Sequence, residues 1–133
     1  MNNIEEIKRL LRAREPIFHH REITNSREEA DREMDENYWE IGASGRQYTR
    51  DFVLGYLEER YRNEKIDEMI TENWNITDFN VQHLAGDVYM ATYTLDGQNR
   101  LTRRTTLWKG SLKTGFKILY HQGTVIHEGY RNT

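Results

Sequence analysis

Four polar side chains near the end of the chain are of types that could carry chemistry: Arg104, Thr106, His121 and Gln122. An arginine guanidinium presents a planar fork of donors that suits an anion or a carbonyl group. An imidazole titrates near neutral pH and can act as a general acid or base. The segments that hold these residues, 100–108 and 116–124, have strand patterns and flank a turn of Lys, Gly and Ser. We interpret the two segments as the wall of a pocket.

Strand alternation predicts which of these side chains point into the pocket. Arg104, Thr106 and Trp108 share one side of their strand, and we assign that side to the cavity. In the last strand Lys117 should face water, which turns His121 outward unless a bulge intervenes. Both His121 and Gln122 therefore stay candidates. His121 is read either as a catalytic acid or base or as a structural histidine bonded to backbone.

Aromatic residues supply candidates for an apolar wall, namely Trp39, Tyr56 and Trp108, while Tyr93 could present a phenol to a ligand. For each of them the alternative is ordinary core packing. Glu40 follows Trp39, and alternation places its carboxylate on the opposite, solvated side. The sequence offers no clear pair of carboxylate base and oxyanion donor, which counts against an enzyme.

Composition excludes several classes of protein. The 133 residues suit one domain. The absence of cysteine excludes disulfides and thiolate chemistry. A net charge of −3 argues against a nucleic-acid partner. No apolar run is long enough for a membrane span, and the first residues do not resemble a secretory signal, so we expect a cytoplasmic protein. Histidine spacing suggests no metal site, and nothing in the sequence calls for a cofactor.

Helical patterns dominate the first half of the chain. Apolar residues at helical spacing predict a first helix that ends near Pro16. Ser26 with Glu29 has the form of a capping box and predicts a second helix to about Met34. Thr49 should cap a third helix, in which Gly55 marks either close packing or a tolerated surface glycine. Residues 38–48 read as a strand, a glycine turn and a second strand. A further helical piece is predicted from Asn63 to Thr71.

Strand patterns dominate the second half. Four strands are predicted, and short turns between them make consecutive strands antiparallel. Their predicted ranges are 74–84, 88–95, 101–108 and 116–123. Helices followed by a meander indicate an α+β domain, with the helices on one face of a curved antiparallel sheet.

Several segments together resemble one branch of the nuclear transport factor 2-like superfamily, a domain of unknown function near the SnoaL-like polyketide cyclases. They are residues 14–19 (REPIFH), 39–46 (WEIGASGR), 104–108 (RTTLW) and 120–124 (YHQGT). The resemblance implies a cone, in which a curved sheet wraps around three helices and a cavity opens at the wide end. It also implies a homodimer formed through the convex face of the sheet. Proteins with this fold include isomerases, cyclases, dehydratases, epoxide hydrolases, targeting or assembly modules and immunity proteins, so the fold does not select a function.

We therefore expect one domain over residues 1–127, a C-terminal tail over 128–133, and a cavity that takes a small organic molecule. A lyase- or isomerase-type reaction in that cavity is one hypothesis, with His121 and Arg104 as the candidate catalytic residues. The predicted ligand-binding residues are Trp39, Tyr56, Tyr93, Arg104, Thr106, Trp108 and Gln122. The alternative is a non-enzymatic dimeric interaction module with an assembly or immunity role.

Overall fold

The computed structural model describes residues 3–63, 74–97 and 100–130. In these residues three helices precede most of the sheet: α1 (Asn3–Arg12), α2 (Arg27–Glu33) and α3 (Arg50–Arg62). The six strands are β1 (Met34–Ile41), β2 (Gln47–Thr49), β3 (Asn75–Ala85), β4 (Val88–Gly97), β5 (Arg100–Ser111) and β6 (Gly115–Val125). A short 3-10 turn follows at Glu128–Tyr130. The helix predicted from Asn63 to Thr71 begins at the C-cap of α3, and the rest of it lies outside the described residues.

Side-chain caps start the second and third helices as the sequence predicted. The Ser26 hydroxyl accepts a hydrogen bond from the Glu29 amide at 3.1 Å, and the Glu29 carboxylate accepts one from the Asn25 amide at 3.0 Å. Thr49 accepts from the Phe52 amide at 3.2 Å. Each bond satisfies an amide that has no partner inside its helix. One difference is that β1 already begins at Met34, the predicted end of the second helix.

The sheet has the strand order β2-β1-β6-β5-β4-β3. Strands β3 to β6 form the predicted antiparallel meander. The sheet as a whole is mixed, because β1 lies parallel to β6. These two strands are far apart in sequence, and the chain between them contains α3 and the meander, so no hairpin turn forces them to be antiparallel. The result is an α+β fold with a curved, unclosed sheet around three helices.

A β-bulge in β6 decides the orientation of its second half. Leu107 pairs with Tyr120, but Trp108 pairs with Ile118, so Leu119 is an extra residue without a partner. The extra residue reverses the alternation, and Ile118 and His121 both point to the helices. The sequence analysis expected His121 to face outward unless a bulge intervened, and this is that bulge.

The hydrophobic core lies between the helices and the inner face of the sheet. Its most buried apolar members come from all three helices and from four strands: Leu11, Ala30, Met34, Tyr38, Leu57, Ala91, Trp108 and Ile118. Trp108 and Thr106 are fully buried on the side of β5 that was assigned to the interior. Within the described residues, no helix has the length and apolar character that a membrane crossing requires.

Candidate functional site

A cavity of about 660 Å³ lies between α3, the segment after α1 and the inner face of the sheet. Its apolar wall includes Ile17, Phe18, Phe52, Val53, Tyr56 and Leu57. Its polar lining includes His19, Glu40, Arg60, Arg100, Arg104 and His121. Phe52 and Tyr56 are both about half exposed, at 47% and 48%, so the cavity opens to the surface beside α3. Polar groups that converge in an apolar concavity are typical of a site for a small molecule.

Arg104 projects from β5 into this cavity and is held by neutral neighbours. Its Nε donates to the Thr102 hydroxyl at 3.1 Å, and its Nη1 lies 3.4 Å from His121 Nε2. Burial lowers the pKa of the guanidinium, while the nearby Tyr93, Glu15 and Glu40 oppose the change. Among the described residues no carboxylate forms an ion pair with it. The cavity therefore contains a half-buried cation with unused donors.

His121 is turned inward by the bulge and is only 4% exposed. Its Nδ1 lies 2.8 Å from the Thr106 hydroxyl oxygen. Burial, together with the Arg104 charge, lowers the pKa of His121 to about 3. The ring is consequently neutral near pH 7 and is a poor proton acceptor there. Its partners are the side chains of Thr106 and Arg104 and not the backbone, and the ring still lines the cavity.

The proton on His121 can be assigned from its partners. Arginine only donates hydrogen bonds, so His121 Nε2 accepts from Arg104 and the ring proton lies on Nδ1. Nδ1 then donates to the Thr106 oxygen, which leaves the Thr106 hydroxyl proton for another acceptor. The Glu15 carboxyl group lies near enough to act on that hydroxyl. Hydrogen bonds therefore link Thr106 through His121 to Arg104, beside the buried Glu15.

Glu15 is the functional residue that the sequence analysis missed. It is 1% exposed, and its two oxygens accept hydrogen bonds from the Tyr93 hydroxyl at 2.7 Å and from Trp108 Nε1 at 3.1 Å. Burial raises the pKa of Glu15, and these donors oppose the rise. The sequence signal was an acidic residue directly before the apolar stretch Pro16-Ile17-Phe18, which we used to end a helix and to support the family resemblance without assigning Glu15 a role.

The facing predicted for Trp39 and Glu40 is reversed in the structure. Trp39 is 40% exposed on the outer face of the sheet, where its ring lies 4.6 Å from that of Tyr120. Glu40 lines the cavity, and its Oε1 accepts from the Tyr38 hydroxyl at 2.7 Å. The reason is that Tyr38, at 2% exposed, is the aromatic residue that β1 buries against Phe18. Glu40 is the carboxyl group of the described cavity lining. Burial raises its pKa.

The remaining predicted ligand-binding residues are divided between the cavity and other places. Tyr56 lines the cavity together with Arg104. Tyr93, Thr106 and Trp108 lie behind the lining and hold Glu15 and His121. Gln122 is on the outer face, because the bulge reverses the second half of β6, and its side chain accepts from the Tyr120 hydroxyl. The structure thus gives these four residues no direct place in the cavity wall.

Two further lining residues lie on the segment after α1. His19 Nδ1 is buried and has no hydrogen-bond partner among the described residues. Burial and the charges of Arg60 and Arg104 hold the pKa of His19 well below its ordinary value. Phe18 has a left-handed backbone with φ 65°, and its carbonyl accepts from Arg60 Nη2. Such a conformation costs free energy for a bulky residue, and it is often found next to functional sites. The described residues contain no cluster of side chains that could hold a metal ion.

Comparison with known proteins shows the fold and no activity. No protein-family model and no curated protein matches the sequence. A nuclear transport factor 2-like protein from Rhodospirillum rubrum, described as of unknown function in nutrient uptake, superposes with a TM-score of 0.61 at 17% identity over 95% of this chain and 100% of its own. An uncharacterised cystatin-like fold protein from Caulobacter vibrioides gives 0.66 at 13% identity, over 98% and 95%.

A third solved structure has a name that suggests an activity. It is a putative ketosteroid isomerase from Parabacteroides distasonis, with a TM-score of 0.64 at 12% identity over 96% of this chain and 90% of its own. Identities this low support a shared fold and do not transfer an activity. TM-scores of 0.61 to 0.66 over nearly the whole chain show that the fold is shared with all three structures. This chain therefore adopts the nuclear transport factor 2-like, or cystatin-like, fold.

Proposed function

We propose that this protein binds a small organic molecule in the cavity of its cone. The observation that carries the proposal is the convergence of Arg104, Glu40 and His19 in a space of about 660 Å³. Sites for small ligands commonly span about 300 to 1,000 Å³ and combine apolar walls with a few oriented polar groups. A module that only binds other proteins would be expected to have a filled interior, so an open cavity of this size favours a small ligand.

Cavity occlusion at Gly123 tests the proposal. Gly123 lines the cavity and pairs with Arg104, and an added Cβ would meet Ala43 Cβ and Arg104 Nε at an ordinary 3.8 Å. The Cβ of Gly123→Val therefore fits beside Arg104 at ordinary contact distances, and its two methyl groups take up further space there. Thr124→Val is the matched control, because it places the same side chain on the next residue of β6, at an exposed position.

Thermal shift with a panel of small organic fragments gives the readout, since a ligand of the native state raises the unfolding temperature. Fragments should stabilise the parent and Thr124→Val equally, and should fail to stabilise Gly123→Val. Equal stabilisation of all three proteins would place binding outside the cavity and overturn the proposal.

The finer part of the proposal is an isomerase- or lyase-type step in which Glu40 moves a proton. A general base works best when its pKa lies near the working pH, and burial shifts the Glu40 pKa in that direction. Glu40 would take a proton from the carbon next to a carbonyl group and return it to the resulting enolate. In D2O this exchange places deuterium on a bound carbonyl compound, which NMR detects. Exchange should occur with the parent and stop in Glu40→Gln; binding without exchange in the parent would leave a binding protein only.

The outer face of the sheet supports a homodimer as a second element of the proposal. Met90 pairs with Leu107, Leu107 with Tyr120, and Tyr120 with Trp39, so four apolar side chains lie side by side across β4, β5, β6 and β1. We call this set the outer apolar band. Contiguous apolar surface rimmed by polar residues is typical of an interaction site. A second copy of the chain is the partner that the convex face suits, and the cavity on the other face would stay open.

A further inference from the structure

The cavity has an excess of positive charge. Its described lining contains four arginines, Arg46, Arg60, Arg100 and Arg104, against the single carboxyl group of Glu40. Arg46 and Arg100 are exposed and are screened by water. Arg60 binds the backbone carbonyl of Phe18. Arg60 and Arg104 are the two lining arginines withdrawn from solvent, and Arg104 is the one of them that extends from the sheet into the cavity.

Arg104 forms no direct ion pair with a carboxylate among the described residues. Glu15 and Glu40 are near enough for their charges to act on it, but the hydrogen bonds of Glu15 come from Tyr93 and Trp108, and that of Glu40 comes from Tyr38. The bonds that Arg104 does make, to Thr102 and His121, go to neutral acceptors and fix the direction of the guanidinium. A cation that is largely withdrawn from water and held in place without a direct ion pair is costly on its own and well prepared for an anion.

His19 is a second residue of the cavity lining with an unpaired polar atom. Its buried Nδ1 lacks a hydrogen-bond partner among the described residues, and an unpaired buried nitrogen is unfavourable. Arg104 is close enough to His19 for its charge to act on the ring. A ligand that carries acceptor oxygens would satisfy the free donors of Arg104 beside this ring.

We infer that the ligand is a small monocarboxylate with an apolar body, whose carboxylate binds Arg104. This inference rests on the proposed small-molecule function and specifies the chemical class. A planar carboxylate matches the fork of one guanidinium. The apolar body would contact Leu57, Val53 and Leu95, which line the same cavity.

Matched pairs of a carboxylate and its neutral amide test the inference. Phenylacetate with phenylacetamide, and benzoate with benzamide, have the same shape and differ in charge. Binding to the full chain is measured by NMR titration at low ionic strength. We expect each carboxylate to bind the parent at least about tenfold more tightly than its amide, because hydrogen bonds between charged groups are the strong ones.

Variants assign the charge preference to one residue. Arg104→Gln should remove the preference for the carboxylate and leave amide binding unchanged, and Arg104→Lys should keep part of it. Arg103→Gln is the matched control, since Arg103 is the exposed neighbour on the other face of β5. It should bind both members of a pair as the parent does. The parent comparison stands on its own if Arg104→Gln fails to fold.

Three outcomes are distinguishable. A carboxylate preference that Arg104→Gln abolishes supports both the inference and the proposed function. Amides that bind the cavity as tightly as carboxylates overturn the inference and leave the small-molecule function intact. If neither member of any pair binds, and the fragment panel does not stabilise the parent either, both are overturned.

Discussion

At the residue scale, the site is organised around a buried carboxyl group and a chain of hydrogen bonds beside it. Tyr93 and Trp108 hold Glu15 near Thr106, and the hydrogen bonds from Thr106 through His121 fix the position of Arg104. Each member of the chain both satisfies a buried polar group and directs the next one. Glu15 is a positioning residue in this arrangement, because it does not line the cavity.

Replacement of Glu15 by glutamine should destabilise the fold. The amide NH2 would face the Trp108 N–H or the Tyr93 O–H, and Trp108 can only donate. A buried group left unpaired costs about 1–3 kcal/mol in the free energy of unfolding. Urea denaturation of Glu15→Gln measures this loss in the free energy of unfolding. Glu36→Gln, an exposed carboxylate of β1, is the control and should stay within about 0.5 kcal/mol of the parent. Equal stability of both variants would contradict the buried network.

His121 should make stability depend on pH between its two pKa values. Its pKa in the folded chain is about 3, below the ordinary 6.5, so the unfolded chain binds the proton first as the pH falls. The free energy of unfolding therefore decreases from pH 6.5 downward until about pH 3.

In His121→Asn, which does not titrate, the slope in that window should be smaller by on the order of 1 kcal/mol per pH unit. The two proteins should have the same slope above pH 7, which serves as the internal control. An NMR titration in which the His121 ring changes charge near its ordinary pKa would refute the assignment.

At the scale of elements, caps and turns allowed the sequence to predict most of the fold. Ser26 and Thr49 start the helices, and turn residues separate the four meander strands. The site was harder to predict, because the side of the sheet to which a side chain points depends on the strand register over the whole sheet. One extra residue, Leu119, turns His121 inward and Gln122 outward. The choice between Tyr38 and Trp39 as the buried aromatic depends on Phe18, which is distant in sequence.

Gly55 in α3 should be replaceable with a gain in stability. An added Cβ meets nothing within 4 Å among the described residues, so the close packing that the sequence left open is not found there. Gly55→Ala should raise the free energy of unfolding by about 1 kcal/mol, because alanine is the better helix former. Gly45→Ala is the contrast: its site is equally open, but its φ of 93° is strained for alanine, and we expect a loss of about 1 kcal/mol. A loss at Gly55 in thermal or urea unfolding would contradict the described packing of α3.

At the scale of the whole molecule, the two faces of the sheet have different properties. The inner face holds the cavity with its excess of arginine, and the outer face presents the outer apolar band. Binding of a ligand and assembly with a second copy would therefore use opposite sides of the same strands. Tyr120 and His121, adjacent in β6, mark that division.

A charge in the outer apolar band should separate the proposed homodimer. Trp39→Lys removes the exposed aromatic side chain at the β1 end of the band and leaves the core intact, because Trp39 is 40% exposed. Light scattering after size exclusion should give the mass of a dimer for the parent and of a monomer for Trp39→Lys. Leu84→Lys removes an equally exposed apolar residue, at 50%, outside the band, and should stay dimeric. A monomeric parent would end the dimer proposal.

Binding inside the cavity is the central claim, and the indole N–H signals of the three tryptophans test it most directly. Trp74 lines the cavity, Trp39 lies on the outer face, and Trp108 is buried and bonded to Glu15. In a titration of the 15N-labelled chain with phenylacetate, the Trp74 signal should shift and saturate while the Trp39 signal stays in place. A saturating shift of Trp39 with Trp74 unchanged would contradict the account.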